Sequence, residues 1–203
     1  TTFAGGNGSS GNFFDVNVTS PVTLTGMQIN NTTGGAVCEV WYRNGTHVGF
    51  EGSSAGWTQI FNGPVAAAQG YVEGLNLPLS SGTTSFFVFL PAGGINYTNG
   101  TNLGGVVSSD ANLAILQGWG TGGTFGAGLF GSGPTDTRIW NGALIYAVPN
   151  CVSARVPVIA VVNAAPVLTV SPTAATICEG SSVNINVTAG LSDYTSFDWA
   201  PAT

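Results

Sequence analysis

Phe14-Asp15-Val16-Asn17-Val18 and Cys38-Glu39-Val40-Trp41-Tyr42-Arg43 decide the fold, because in both stretches the apolar side chains recur at every second residue. That period places them on one face of a pleated strand and their neighbours on the other, whereas a helical face needs a spacing of about 3.6. Leu113 and Ile115 ahead of Gln117, and Ile139, Gly142, Leu144 and Tyr146, extend the pattern. Between these runs lie Asn44-Gly45, Asn62-Gly63-Pro64, Ser81-Gly82, Ala92-Gly93-Gly94, Asn99-Gly100 and Asn141-Gly142, the residues that hairpin turns with positive φ demand. No stretch of roughly 10 to 12 residues carries a helical stripe. The reading is all-β: about ten strands before Pro149, enough for a two-sheet sandwich of jelly-roll type over residues 1–149. Gly118 to Gly133, with eight glycines, reads as a long loop anchored by Phe125, Leu129 and Phe130.

Composition narrows the function. The chain of 203 residues has three basic and nine acidic side chains, only 6% charged residues and a mean hydropathy of +0.30. Nucleic acid is excluded as a partner on this count, since tracking phosphates takes a basic stripe. A membrane span is not expected either: the most apolar part, Val156 to Val162, contains Pro157, stops at Asn163 and falls short of the roughly 18 residues required. Thr1-Thr2-Phe3 leads directly into patterned sequence, which suits a mature N-terminus after removal of a signal. Three cysteines among abundant Asn, Thr, Ser and Gly suit an oxidising, extracellular compartment.

Two sets of residues carry a resemblance. Cys151-Val152-Ser153-Ala154-Arg155-Val156-Pro157-Val158, then Ala165 to Pro172, Ile177-Cys178-Glu179-Gly180 and Phe197-Asp198-Trp199-Ala200-Pro201, resemble a junction between repeated Ig-like modules. Phe3 to Gly8, Trp41 to Thr46, Ile95 to Gly100 and Arg138 to Gly142 resemble a β-sandwich head module. Both look like parts of the large surface proteins of gliding bacteria that use the type IX secretion route. The resemblance implies location and architecture and brings no catalytic residues with it. It implies a head at 1–149, a connecting strand or linker at 150–165, and an Ig-like module begun at 166–203. Such a module needs about seven strands, and Pro166 to Thr203 supplies about three. Its partners are then following Ig-like repeats or neighbouring subunits. Trp199 resembles the core tryptophan of such a module.

An inventory of reactive residues points away from catalysis. His47 is the only histidine, so any Ser-His-Asp arrangement or histidine-based metal site must use it, and its place after the Asn44-Gly45 turn reads as a surface strand position. No HExxH or CxxC occurs, and the Gly-rich stretch lacks the lysine of a phosphate-binding loop. The acidic residues Asp15, Glu39, Glu51, Glu73, Asp110, Asp136, Glu179, Asp193 and Asp198 are scattered, without the facing pair that glycoside hydrolysis needs. Asp110 and Asp136 are the candidates for a calcium site, against the plainer reading that each caps its own turn, and no metal or other cofactor is assigned.

Two kinds of glycan contact are open. Trp57, Tyr97, Trp119 and Trp140, with Tyr71, are candidates for a sugar-stacking platform; packing in the sandwich is the competing reading. Trp41 shares its face with Glu39 and Arg43, opposite Cys38 and Val40. Asn-x-Ser/Thr sequons begin at Asn7, Asn17, Asn30, Asn31, Asn44, Asn96, Asn99 and Asn186, where glycans would supply the solubility that so few charges cannot. Cys38 is expected to pair with Cys151, leaving Cys178 for a cysteine further on; the alternative is Cys151 with Cys178. The function expected is a non-enzymatic structural or adhesive module of a bacterial surface protein or filament. The alternative is a carbohydrate-binding accessory module of a secreted enzyme.

Overall fold

The computed structural model describes residues 1–149 and 167–189, and the chain divides into two units, Thr1–Cys151 and Val152–Thr203. The described residues of the first unit form β1 (Asn7–Ser9), β2 (Gly11–Val18), β3 (Val22–Ile29), β4 (Ala36–Asn44), β5 (Thr58–Val65), β6 (Gly70–Val72), β7 (Leu77–Leu79), β8 (Gly82–Phe89), β9 (Ile95–Asn99), β10 (Val106–Ser109), β11 (Leu113–Leu116), β12 (Trp119–Thr121), β13 (Leu129–Phe130), β14 (Arg138–Trp140) and β15 (Gly142–Ala147). Those of the second unit form β16 (Leu168–Ser171) and β17 (Asn186–Ala189). The protein is all-β, as the alternation predicts.

Three antiparallel sheets build the first unit. The largest runs β10-β11-β2-β8-β4-β5, with β12 also paired to β2 and β13 to β12. A second runs β15-β3-β6, with β7 also on β3, and a third runs β1-β9-β14. Alternation makes the first two a sandwich. Phe14, Val16 and Val18 of β2, Cys38 and Val40 of β4, and Phe86 and Val88 of β8 join Leu24, Met27, Ile29, Val72 and Leu79 from the second sheet in one buried core. Ile95 and Trp140 from the third sheet belong to it as well.

The large sheet is dry on its other face too. Phe13, Phe87, Phe89 and Trp57 form a second buried cluster, against which Trp41, Phe125 and Leu129 pack. Residues Thr84 to Leu90 are therefore buried without interruption, like a strand covered on both faces. Two loops supply the cover: 45–57, and the Gly-rich 122–128 between β12 and β13.

Several turn signals behave as their chemistry requires, with Gly45, Gly82, Gly93 and Gly94 all at positive φ. Asn62-Gly63-Pro64 does not turn. It lies inside β5, where Gly63 stands opposite Cys38, and Pro64 is tolerated because β5 is the last strand of its sheet. The stretch expected to be one long loop also contains β12 and β13. Gly118 makes this possible: a Cβ there would sit 1.9 Å from the Phe13 carbonyl oxygen, so only glycine lets the chain close on β2 as β11 gives way to β12.

Candidate functional site

The predicted sugar platform is not brought together. Trp140, at 1% exposure, lies flat on Phe14 in the sandwich core, and Trp57, at 7%, is in the outer aromatic cluster with its Nε1 donating to the Phe50 carbonyl oxygen at 2.9 Å. Neither offers a ring face to a sugar. Tyr97 is half-buried against Phe130 with the Arg138 guanidinium 5.4 Å from its ring, and Trp119 packs edge-on to His47. Tyr71 is exposed and stands apart on β6. Core packing, the competing reading, accounts for the tryptophans because a sandwich this poor in long aliphatic side chains fills its volume with aromatics.

His47 is not on the surface. Its side chain is 1% exposed, stacked on Phe13 at 6.1 Å and crossed by Trp119 at 5.1 Å. Nδ1 lies 2.7 Å from Glu51 Oε1, and Glu51 Oε2 accepts from the Gly49 amide at 3.0 Å. Asp15 fixes the other end of the loop, its carboxylate accepting from the His47 amide (2.9 Å), the Thr46 hydroxyl (2.7 Å) and the Ser85 hydroxyl (2.8 Å). Arg43 donates to the Thr46 carbonyl and lays its guanidinium 3.5 Å from the Phe50 ring centroid. The Glu51 carbonyl then accepts from the Gly126 amide, joining this loop to the Gly-rich one. Sequence reasoning missed the whole knot. Its one signal was the i,i+4 spacing of His47 and Glu51 with two consecutive phenylalanines at 13 and 14. This chemistry holds a loop over an aromatic face; an imidazole so enclosed has little room for a reacting solute.

The remaining candidates are placed as follows. Among the described residues Cys38 is a buried thiol of the main core with no disulfide partner and Cys178 an exposed one, while Cys151, the expected partner of Cys38, lies outside the described residues. Burial, with the Glu39 carboxylate next, pushes the Cys38 thiol up to about 12. Asp110 caps its own turn, accepting from the Asn112 and Leu113 amides, and takes a hydrogen bond from the Tyr146 hydroxyl at 2.7 Å. Asp136 pairs with Arg138 at 2.5 Å. No group of three or more metal-type ligands gathers among the described residues. Of the sequons, Asn30 and Asn31 are removed as acceptors by burial: Asn30 donates to the Phe3 carbonyl, and Asn31 bonds Thr33, Ala66 and Gly70. Asn96 is half-buried and donates to Asn30. Asn7, Asn17, Asn44, Asn99 and Asn186 are exposed. Asp193, Asp198 and Trp199 lie outside the described residues.

Two surface features among the described residues stand open. In the second unit, β16 and β17 form a hairpin with Leu168 opposite Ala189 and Ser171 opposite Asn186. Its apolar side chains are bare: Val167 is 75% exposed and Leu168 51%, and Val170, Ile177, Val183 and Ile185 are exposed as well. In the first unit, β15 and β10 are the terminal strands of their sheets, and a cavity of about 170 Å³ opens beside them, lined by Ser108, Ser109, Leu113, Ile115, Leu144 and Tyr146 among others. No helix among the described residues is long and apolar enough to cross a membrane. No family model matches the chain, and neither does any curated protein or solved structure.

Proposed function

We propose that this chain is a non-enzymatic structural or adhesive module of an extracellular assembly, completed through its second unit by other polypeptide. The bare hairpin β16–β17 carries this reading. An exposed apolar strand edge is a template for pairing, and contiguous exposed apolar surface marks a place of association. The polypeptide that covers it is either further Ig-like strands or a neighbouring subunit. Exposed sequons at Asn7, Asn17, Asn44 and Asn99 fit a first-unit surface that glycans can solubilise, while Asn186 lies on β17 of the hairpin itself.

Negative-stain electron microscopy of the full chain at rising concentration tests this. Oligomers or filaments are the expected result. Uniform single particles at every concentration, together with binding to immobilised glycans, would overturn it in favour of a carbohydrate-binding module.

A further inference from the structure

We infer that the open edge of β15 is an acceptor for an added β-strand, and that the strand it takes is Leu168–Ser171 of a second copy of this chain. The inference rests on the assembly reading above and names its geometry. β15 pairs with β3 on one side only among the described residues. The direction of its free backbone groups follows from the bonds at its start: the Gly142 amide and carbonyl both meet the Thr1 hydroxyl, away from β3, while the Ile145 carbonyl accepts from Thr25 of β3. Alternation then turns the Leu144 amide and carbonyl outward, toward the open edge.

Beside Leu144 the sandwich is not closed. The cavity of about 170 Å³ between the ends of the two sheets has an apolar floor of Leu113, Ile115 and Leu144 and a polar rim that carries the Thr1 ammonium, held on the Gly142 carbonyl, and the Asp110 carboxylate beside Ser108, Ser109 and Tyr146. An apolar cavity of about 150 Å³ admits a benzene ring, so this one has room for one large aliphatic or aromatic side chain. A free edge carrying backbone donor and acceptor next to a pocket for one side chain is the arrangement of strand-addition sites, where the backbone gives affinity and the pocket gives specificity. A free sugar or small solute would use the pocket and leave the edge unpaired.

The donor follows from what the occupant must be: extended, apolar at alternate positions, and uncharged, because the rim already holds both signs of charge on Thr1 and Asp110. Leu168-Thr169-Val170-Ser171 is a strand in the second unit, holds no charge, and presents Leu168 and Val170 to solvent. A head-to-tail contact of this kind propagates from copy to copy, into a fibre where the rotation does not close a ring. Leu168 is the side chain assigned to the cavity.

Four samples test it: the full chain and the full chain carrying Leu168→Asp, each without and with a synthetic hexapeptide of sequence Val167–Pro172. Light scattering should show the parent chain assembling and the peptide halting that growth. Leu168→Asp should stay monomeric at concentrations where the parent assembles, yet still bind the peptide, with amide shifts centred on Leu144, Ser108 and Ile115. The retained peptide binding shows that the acceptor is folded. Assembly that survives Leu168→Asp and ignores the peptide would overturn this inference while leaving the assembly reading intact. A chain that never assembles, with a peptide that does not bind, would overturn both.

Discussion

Phe14 lies flat against Trp140, ring centroids 4.4 Å apart and planes at 7°, while its neighbour Phe13 makes the same kind of stack with Phe87 on the opposite face, at 3.9 Å and 8°. Two consecutive residues thus anchor two separate cores, the sandwich interior and the layer beneath the loops. The two layers should differ in weight. Phe14→Ala empties a fully buried site in the main core and is expected to cost about 4 kcal/mol. Phe125→Ala removes a half-buried ring that touches Phe13, Trp41, Trp57 and Phe87 from a Gly-rich loop, and about 1 to 2 kcal/mol is expected. Urea titration of the two variants measures the difference.

His47 acts as a strut. His47→Ala leaves the Glu51 carboxylate buried without its imidazole partner and opens space beside Phe13 and Trp119, with a loss of about 3 kcal/mol expected. The double variant His47→Ala, Glu51→Ala should lose less than the sum of the singles, since the second change removes the stranded carboxylate. Strict additivity in a double-mutant cycle would show that the pair is not coupled.

How much of this was legible differs between the two faces of one sheet. The inner face follows directly from Val16, Val18, Cys38 and Val40, whose alternation needs only one dry side. The outer face was hidden because period-two reasoning assigns the odd positions of β2 to water, whereas Phe13 is buried among Phe87, Phe89 and Trp57. The run Phe86-Phe87-Val88-Phe89 was the available sign that both faces are covered. The sequence puts His47 on the surface because what buries it is far away along the chain: Asp15 holds its amide, and Phe13 and Trp119 flank its ring. The strand Leu168–Ser171 is legible in the alternation of Leu168 and Val170 with Thr169 and Ser171, whereas the open slot beside Leu144 depends on where two sheets happen to end.

Asp110 should give the fold a small acid-sensitive component. Hydrogen bonds from the Tyr146 hydroxyl, then from the Asn112 and Leu113 amides, hold its carboxyl below the ordinary value of 3.8. A carboxyl lowered in the folded state stabilises it above the unfolded value and loses that contribution as pH falls through the lower, folded one. Thermal midpoints taken from pH 6 downward should therefore fall below pH 3.8, and Asp110→Asn should flatten that part of the curve. The group is nearly fully exposed, so the effect is a minor one.

The Cys38 thiol should be inert in the folded protein. With its titration pushed up to about 12 and its side chain in the core, it is neither ionised nor reachable at pH 8. Iodoacetamide should label exposed Cys178 at once and Cys38 only after unfolding. Labelling of Cys38 on unfolding without reductant confirms the free thiol; a cross-linked peptide joining it to Cys151 would contradict it.

Hydrogen exchange at the amides of β16 and β17, read at high and low protein concentration, tests most directly whether the bare hairpin is the surface through which this module joins its assembly. The amides of Leu168 to Ser171 should exchange slowly in the concentrated, assembled sample and rapidly after dilution, while those of β2 and β8 stay protected in both. Equal and rapid exchange of the hairpin at every concentration would contradict the assembly role proposed for this chain.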